Sequence, residues 1–244
     1  MKILIFLTIC IFILLGNALP TNDFEKDVFK TSGGDLTITF IGHGTLMMEF
    51  NGKVIHIDPV GNYADYSTLP KADLILITHE HGDHLDVGAI DKITKENTQV
   101  VLTYTCSEKY KKGKVMINGE SDTYHGIQVD AVPAYNIKNK RGDGSPFHPK
   151  GNGNGYVLHF ADKKVYVAGD TENIPEMANL KDINIAFLPM NLPYTMTPEM
   201  LVEAVKMFQP KILYPYHFGN TDTNKLLELL RNQNKTEVRI RNLG

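Results

Sequence analysis

The stretch His79-Glu80-His81-Gly82-Asp83-His84 places three histidines and an aspartate within six residues. It follows the apolar run 73–78, whose leucine and isoleucine content is typical of a buried strand. Side chains two residues apart on a strand point the same way, so His79 and His81 can share a metal if they continue it. Imidazole and carboxylate ligands suit zinc, and also iron or manganese. A histidine-rich polar turn is the alternative, but the chain has only nine histidines in 244 residues, which favours a metal site.

This stretch has the form H-x-H-x-D-H and resembles the signature of the metallo-β-lactamase-fold hydrolases. Further segments match that family in its own order, from about Leu36 to Phe218. The resemblance is nearest to the branch of lactone hydrolases and phospholipase D-type enzymes that act on N-acyl lipids. The other matching segments are Gly42-His43-Gly44-Thr45, Ile57-Asp58-Pro59, Gly169-Asp170-Thr171 and Tyr216-His217-Phe218-Gly219.

The resemblance implies a centre of two metal ions, with zinc as the expected metal and iron or manganese as alternatives. A water held between two dications loses a proton near neutral pH, so a metal-bound hydroxide would be the nucleophile. Asp83 would also orient that hydroxide. The implied ligands are His79 and His81 for one metal, Asp83, His84 and His217 for the other, and Asp170 as the bridge.

The third histidine ligand of the first metal is missing from its usual place. Many relatives carry a histidine where this chain has Asn136, and asparagine is a poor zinc ligand. His148 lies in the loop after the strand, on the expected side of the site, whereas His125 precedes that strand. We therefore favour His148 as this ligand, with Asn136, water or a single-metal site as the alternatives.

Two further residues could act on the substrate. Asn191 and Tyr194 follow the strand 185–189 and could donate hydrogen bonds to a developing oxyanion. A packed loop that leads into a helix is an equally good interpretation. His43 and Asp58 are expected to support the ligands, with Asp58 fixing a ligand histidine.

Length and composition indicate one large domain. A chain of 244 residues with 42% hydrophobic residues can bury a substantial core. Its net charge of −3 gives no electrostatic case for nucleic acid. RNA-processing members of the family normally carry extra domains, for which this chain has no room. A small-molecule or lipid-like substrate is expected.

The N-terminus has the pattern of a secretion signal. Lys2 precedes an apolar run from Ile3 to Leu15, and Ala18 suits signal peptidase. This predicts a signal peptide at 1–18, a polar, unstructured lead-in at 19–34 and the hydrolase domain at 35–244. The mature protein would be secreted or periplasmic without stable membrane insertion, and an uncleaved membrane anchor is the alternative. Cys106 alone would then remain, so no intrachain disulfide is expected.

Hydrophobic periodicity predicts many strands first and then strands that alternate with helices. Asn51-Gly52 predicts a hairpin turn, Asp86 a helix N-terminus, and Thr197-Pro198 another. Composition alone permits several α/β arrangements, and the family resemblance selects a four-layer αββα sandwich. The expected function is metal-dependent hydrolysis of an ester, lactone, amide or phosphodiester bond. The alternative is a metal-binding protein of the same fold without turnover.

Overall fold

The computed structural model describes residues 23–231 and 235–244. Two seven-stranded sheets pack face to face, and helices cover their outer faces. This confirms the predicted αββα sandwich. The proposed signal peptide at 1–18 lies outside the described residues, and among those described no helix is long and apolar enough to cross a membrane.

The first sheet has its strands in chain order. Its first four strands pair antiparallel and the remaining strands pair parallel. Helices α1 (Val87–Ile93) and α2 (Tyr104–Lys109) lie along its outer face. The strands are β1 (Lys26–Thr31), β2 (Gly34–Gly42), β3 (Thr45–Phe50), β4 (Lys53–Ile57), β5 (Leu74–Leu76), β6 (Gln99–Leu102) and β7 (Lys114–Val115).

The second sheet repeats the same construction. It also begins with four antiparallel strands and continues with parallel ones. Its outer face carries a 3₁₀ helix (Pro175–Asn179), α3 (Pro198–Phe208) and α4 (Thr223–Leu230). The strands are β8 (Ser121–Tyr124), β9 (Ile127–Ala134), β10 (Gly153–Phe160), β11 (Lys163–Val167), β12 (Ile185–Pro189), β13 (Ile212–Tyr216) and β14 (Glu237–Val238).

Local sequence signals set several of these boundaries. Asn51 and Gly52 both have positive φ, 49° and 72°, as a tight hairpin turn requires. The Asp86 carboxylate accepts the backbone N–H groups of Gly88 and Ala89 at the start of α1. Thr197 caps α3 in the same way, with a proline at the first helical position. All three predicted signals are confirmed.

The main core lies between the two sheets, where alternate side chains of both inner faces meet. Phe187 of β12 and Tyr214 of β13 stack with their ring centroids 5.0 Å apart, and Phe40 of β2 packs on both. Apolar burial on this scale is the principal stabilising term of such a domain. It holds the two sheets in a fixed relation, so that loops from both can form one site.

Two sequence-based expectations are wrong. The lead-in at 19–34 was expected to be unstructured, but Lys26–Thr31 forms edge strand β1, which pairs with β2. Asp27 anchors it, because its carboxylate accepts two hydrogen bonds of 2.8 Å from the Arg241 guanidinium. The strand before the metal motif ends at Leu76, so His79 and His81 lie in the following loop and not on the strand.

Buried His56 predicts acid sensitivity of the fold. Its Nε2 lies 3.1 Å from the carbonyl oxygen of Pro70, and burial lowers its pKa from 6.5 to about 4. The unfolded chain takes up this proton at higher pH, so the stability is complete above pH 6.5 and is lost as pH falls toward 4. Between pH 7 and pH 5 we expect a loss of about 2 kcal/mol from this residue. Urea unfolding of wild type and His56→Gln at both pH values measures this loss. An equal decrease in the free energy of unfolding of the two proteins would contradict the prediction.

Candidate metal centre

The site lies where loops leave the C-terminal ends of strands in both sheets. A cavity of about 360 Å³ opens there. Each donor side chain follows the C-terminal end of a strand. Strands that run in the same direction have their C-terminal ends at the same edge of the sheet, so these side chains lie close together. From the first sheet come His43 after β2 and the H-x-H-x-D-H loop after β5; from the second come His148 after β9, Asp170 after β11 and His217 after β13.

Three histidines form the first donor group. Nδ1 of His81 lies 3.2 Å from Nε2 of His79 and 3.2 Å from Nε2 of His148. All three ligand atoms fall within 4.8 Å of one another, a spacing that can hold a metal ion. The structure thus brings His148 to the position for which sequence reasoning favoured it. His148 occupies the place of the histidine whose absence at Asn136 motivated the alternative without turnover.

Asp170 stands between this group and the remaining donors. Its Oδ2 lies 3.3 Å from Nε2 of His148 and 3.4 Å from Nε2 of His217. Its Oδ1 lies 3.4 Å from Nε2 of His84, and Asp170, His84 and His79 form a further candidate group. A carboxylate in this position can bridge two metals, the role that the family resemblance implied.

Asp83 lines the same cavity as Asp170, with its side chain 44% exposed. Its Oδ2 lies 3.5 Å from Nε2 of His217 and 3.4 Å from Nε2 of His43, whereas Nε2 of His84 is 4.0 Å away. His43, expected only to support the ligands, thus has its own ring nitrogen among the donors. Sequence reasoning missed this because the role depends on the turn geometry after β2.

Unpartnered buried atoms show that these residues fit a metal. Among the described residues, Nε2 of His84, Oδ1 of Asp170 and Nε2 of His217 are buried without a hydrogen-bond partner. An unpaired buried polar atom is costly. Here several such atoms, all of types that ligate zinc, converge on the same space, and a cation there would satisfy them together.

The charge states of Asp170, His79 and His81 suit cation binding, whereas His84 differs: burial alone would lower its pKa, but Asp170 and Asp58 outweigh burial and raise it to about 9, so a metal would have to displace its proton. Burial alone would raise the pKa of Asp170, but nearby His217 and His84 hold it well below its usual value, so the carboxylate is ionised. Burial, reinforced by His84, keeps the pKa of His79 well below 6.5, and burial and His148 lower that of His81. Neutral imidazole is the form that binds a metal.

Asp58 orients His84, as predicted. Its fully buried carboxylate lies 2.8 Å from Nδ1 of His84, which leaves Nε2 directed to the site. The same carboxylate accepts the backbone N–H of Thr78 at 2.8 Å and its hydroxyl at 2.6 Å. A carboxylate behind a ligand histidine fixes the tautomer and the ring orientation.

Asn136 contacts His148 directly. Its Oδ1 lies 2.7 Å from Nδ1 of His148 and accepts the backbone N–H of that residue at 2.8 Å. Asn136 is itself held by Glu172, a fully buried carboxylate that also accepts N–H groups of residues 137–139. Glu172 was not among the predicted site residues, although its position two residues after Asp170 offered a signal. His125 lines a different cavity, with Lys53 and Asp73.

Several site residues adopt left-handed backbone conformations. His43, Asp58 and His217 have φ values of 52°, 46° and 49°. Such conformations are unfavourable for residues other than glycine and cluster at functional sites. They are held by bonds such as that from the His217 N–H to the His43 carbonyl at 3.1 Å. Gly44 is required for a different reason: a Cβ there would come within 2.8 Å of the His84 ring.

The outer wall of the cavity contains both predicted oxyanion donors and two residues that were not predicted. Asn191 and Tyr194 line it, together with Phe147 and Arg141. Tyr194 meets Phe147 edge to face at 5.1 Å, and the residue also lines the cavity. The ring contact agrees with the packed-loop interpretation, and the position at the cavity agrees with the substrate-contact interpretation.

Comparison with known proteins supports the class that this fold and site define. The beta-lactamase superfamily domain matches residues 37–217. A UPF0173 metal-dependent hydrolase of Pelotomaculum thermopropionicum is 31% identical over 195 residues, covering 75% of this chain and 85% of that protein. A relative of the same name from Pyrococcus horikoshii is 32% identical over 197 residues, covering 75% and 84%.

Solved structures agree. A protein from Parabacteroides distasonis, inferred to be a metal-dependent hydrolase, is 51% identical, with a TM-score of 0.87 over 91% of this chain and 100% of that one. A metallo hydrolase from Ignicoccus hospitalis shares the fold, with a TM-score of 0.70 at 24% identity over 86% and 96%. The chain belongs to the beta-lactamase superfamily and, within it, to the UPF0173 metal-dependent hydrolases. It is a metal-dependent hydrolase of the metallo-β-lactamase fold.

Proposed function

We propose that the protein is a dinuclear zinc enzyme that hydrolyses an ester, lactone, amide or phosphodiester bond in a small substrate. The observation that carries this proposal is that two groups of metal-ligating side chains lie on either side of Asp170. Buried ligand atoms of Asp170, His84 and His217 have no hydrogen-bond partner among the described residues. One metal would be held by His79, His81, His148 and Asp170. The other would be held by Asp83, His84, His217 and Asp170, with His43 beside it.

Bound zinc would supply an activated water and polarise the bond under attack. Asp83 is placed to hold the proton of that water, because its half-exposed carboxylate faces both the donor histidines and the cavity. Asn191 and Tyr194 stand at the outer wall, where a hydrogen bond from either side chain would stabilise developing negative charge. No serine or cysteine nucleophile is needed; the single described cysteine, Cys106, is buried.

The cavity favours a small substrate. Its volume of about 360 Å³ is near the lower end of the usual range of about 300–1,000 Å³ for ligand pockets. This supports a small molecule over a lipid with long acyl chains. Assignment to the lactonase and N-acyl-lipid phospholipase branch stays a prediction, as do the exclusion of nucleic acid and the preference for zinc over iron or manganese.

Metal analysis together with a substrate panel tests the proposal. We expect gently purified protein to contain close to two transition-metal ions per chain, mainly zinc, because the donors fill two coordination groups. Chelation should abolish hydrolysis of the panel, and added zinc should restore it. A protein that neither retains nor takes up metal, or that hydrolyses the panel equally well after chelation, would refute it.

We also propose that the mature protein is exported after cleavage near Ala18. The support is the N-terminal sequence alone, with its basic start and its apolar run of signal-peptide length. A retained N-terminal anchor remains the alternative. N-terminal sequencing of the mature protein distinguishes them: an intact Met1 on soluble cytosolic protein would contradict export.

A further inference from the structure

One loop carries both a metal donor and an arginine to the cavity. We call residues 136–148 the flap. Its base is closed by a hydrogen bond of 2.9 Å from the Asn136 N–H to the His148 carbonyl, and Glu172 binds the adjoining N–H groups. Near its tip the Arg141 N–H donates to the Ser145 carbonyl at 2.7 Å. The flap therefore has a defined conformation, and the side chains it presents are positioned with it.

Arg141 is held in place at the cavity wall by an aromatic side chain of the same flap. Its guanidinium lies over the Phe147 ring, 5.0 Å from the centroid, and Nη2 donates to the Phe147 carbonyl at 3.2 Å. Stacking of this kind reduces the mobility of a long side chain while leaving most of its N–H donors free. Phe147 is adjacent in sequence to the donor His148. The contact of Arg141 with Phe147 therefore places the guanidinium near the metal site.

Among the described residues, no carboxylate lies within ion-pair distance of this arginine. Within residues 23–231 and 235–244, none forms an ion pair with Arg141 within 4.0 Å, although Asp83 and Asp170 line the same cavity. Asp143, in the same turn, accepts the N–H and hydroxyl of Ser145 at 2.9 and 2.6 Å, and these bonds lower its pKa more than the nearby Arg141 charge does. A positioned guanidinium with free donors, facing a cavity beside a metal centre, has the geometry for an anionic ligand.

We infer that the substrate carries an anionic group, a carboxylate or a phosphate, which Arg141 binds while the bond to be hydrolysed lies at the metal centre. This inference rests on the proposed function and narrows its substrate class. A guanidinium fork binds either anion through two parallel hydrogen bonds. Phe147 and Tyr194, packed edge to face, provide an apolar surface for the body of the substrate between its two polar ends.

Matched substrates test the inference. The probes are 4-carboxyphenyl acetate, 4-acetoxyphenyl phosphate and the uncharged 4-carbamoylphenyl acetate, hydrolysed by zinc-loaded wild type, Arg141→Gln and Lys140→Gln. Lys140→Gln is the control, because it removes a neighbouring exposed charge that does not line the cavity. For the anionic probes we expect Arg141→Gln to lower kcat/KM at least about tenfold, as loss of a charged hydrogen bond does. For the uncharged carboxamide probe, kcat/KM should change less than about twofold. Comparison of the carboxylate and phosphate probes shows which anion is preferred.

Binding measurements separate failure of this inference from failure of the proposed function. Calorimetry with 4-hydroxybenzoate, 4-hydroxyphenyl phosphate and 4-hydroxybenzamide needs no turnover. Weaker binding of an anion to Arg141→Gln, with no turnover of any probe by wild type, supports the anion site and counts against the proposed hydrolysis. Equal binding and equal kcat/KM in wild type and Arg141→Gln, or an equal loss in Lys140→Gln, would overturn the inference.

Discussion

Replacing Asp83 with asparagine should abolish hydrolysis without unfolding the protein. The side chain keeps its size but loses the charge that faces His43 and His217 at 3.4 and 3.5 Å. It can then neither take a proton from water nor bind a metal firmly. We expect kcat to fall by about 10²–10⁴-fold, the range for removal of a group that transfers a proton. Steady-state kinetics with the substrate on which wild type is most active provides the measurement.

Stability and a matched variant make this prediction specific. Asp83 is partly exposed and lies outside the core, so the metal-free variant should still unfold cooperatively, with only a small change in Tm from the lost contacts with His43 and His217. Asp91→Asn, an exposed aspartate on α1, removes the same charge away from the site and should leave kcat unchanged. A folded Asp83→Asn variant with wild-type kcat would rule out the proposed role.

Replacing His148 with alanine should remove one metal ion and most of the activity. Its Nε2 lies between His81 and Asp170, 3.2 and 3.3 Å from their nearest ligand atoms, so its loss leaves the first donor group incomplete. Loss of a direct ligand should weaken metal binding at least as much as loss of a supporting residue, which typically costs about 10–100-fold. Elemental analysis after dialysis against buffer of defined zinc concentration measures the occupancy.

His125→Ala is the matched control for this variant. His125 occupies the β8–β9 turn and lines a separate cavity, so its removal should change neither metal content nor activity. Equal metal loss in both variants would indicate general destabilisation and not loss of a ligand. A His148→Ala protein that retains both metals would return the role to Asn136 or to water.

The sequence determines much of this site because several donors are local. His79, His81, Asp83 and His84 lie within one loop, so no long-range contact is needed to bring them together. His148 could be predicted from the side of the sheet on which its loop begins. Asp170 and His217 required the order of motifs typical of the family, since a lone aspartate or histidine after a strand carries little information.

The missed features depend on contacts distant in sequence. Strand β1 has a mostly polar sequence, and it forms because the edge of β2 and the Arg241 side chain are available to it. The donor position of His43 follows from a left-handed backbone that the His217 N–H stabilises from far along the chain. The placement of Arg141 depends on the conformation of the flap, whose base is held by the hydrogen bonds that Glu172 accepts. Such relations exist only after the sheets have packed.

The division of the donors between the two sheets bears on how the protein selects its metal. A nascent chain emerging from the ribosome exposes the H-x-H-x-D-H loop long before His148, Asp170 and His217 have been synthesised. With only part of the donor set, the early segment should hold a cation less firmly than the complete site. The full set of donors exists once the halves join, where the Asn154 N–H bonds the Thr78 carbonyl at 2.9 Å and the Tyr156 hydroxyl bonds the Ile77 carbonyl at 2.8 Å. Discrimination among cations therefore depends on the finished tertiary structure and not on the linear motif alone.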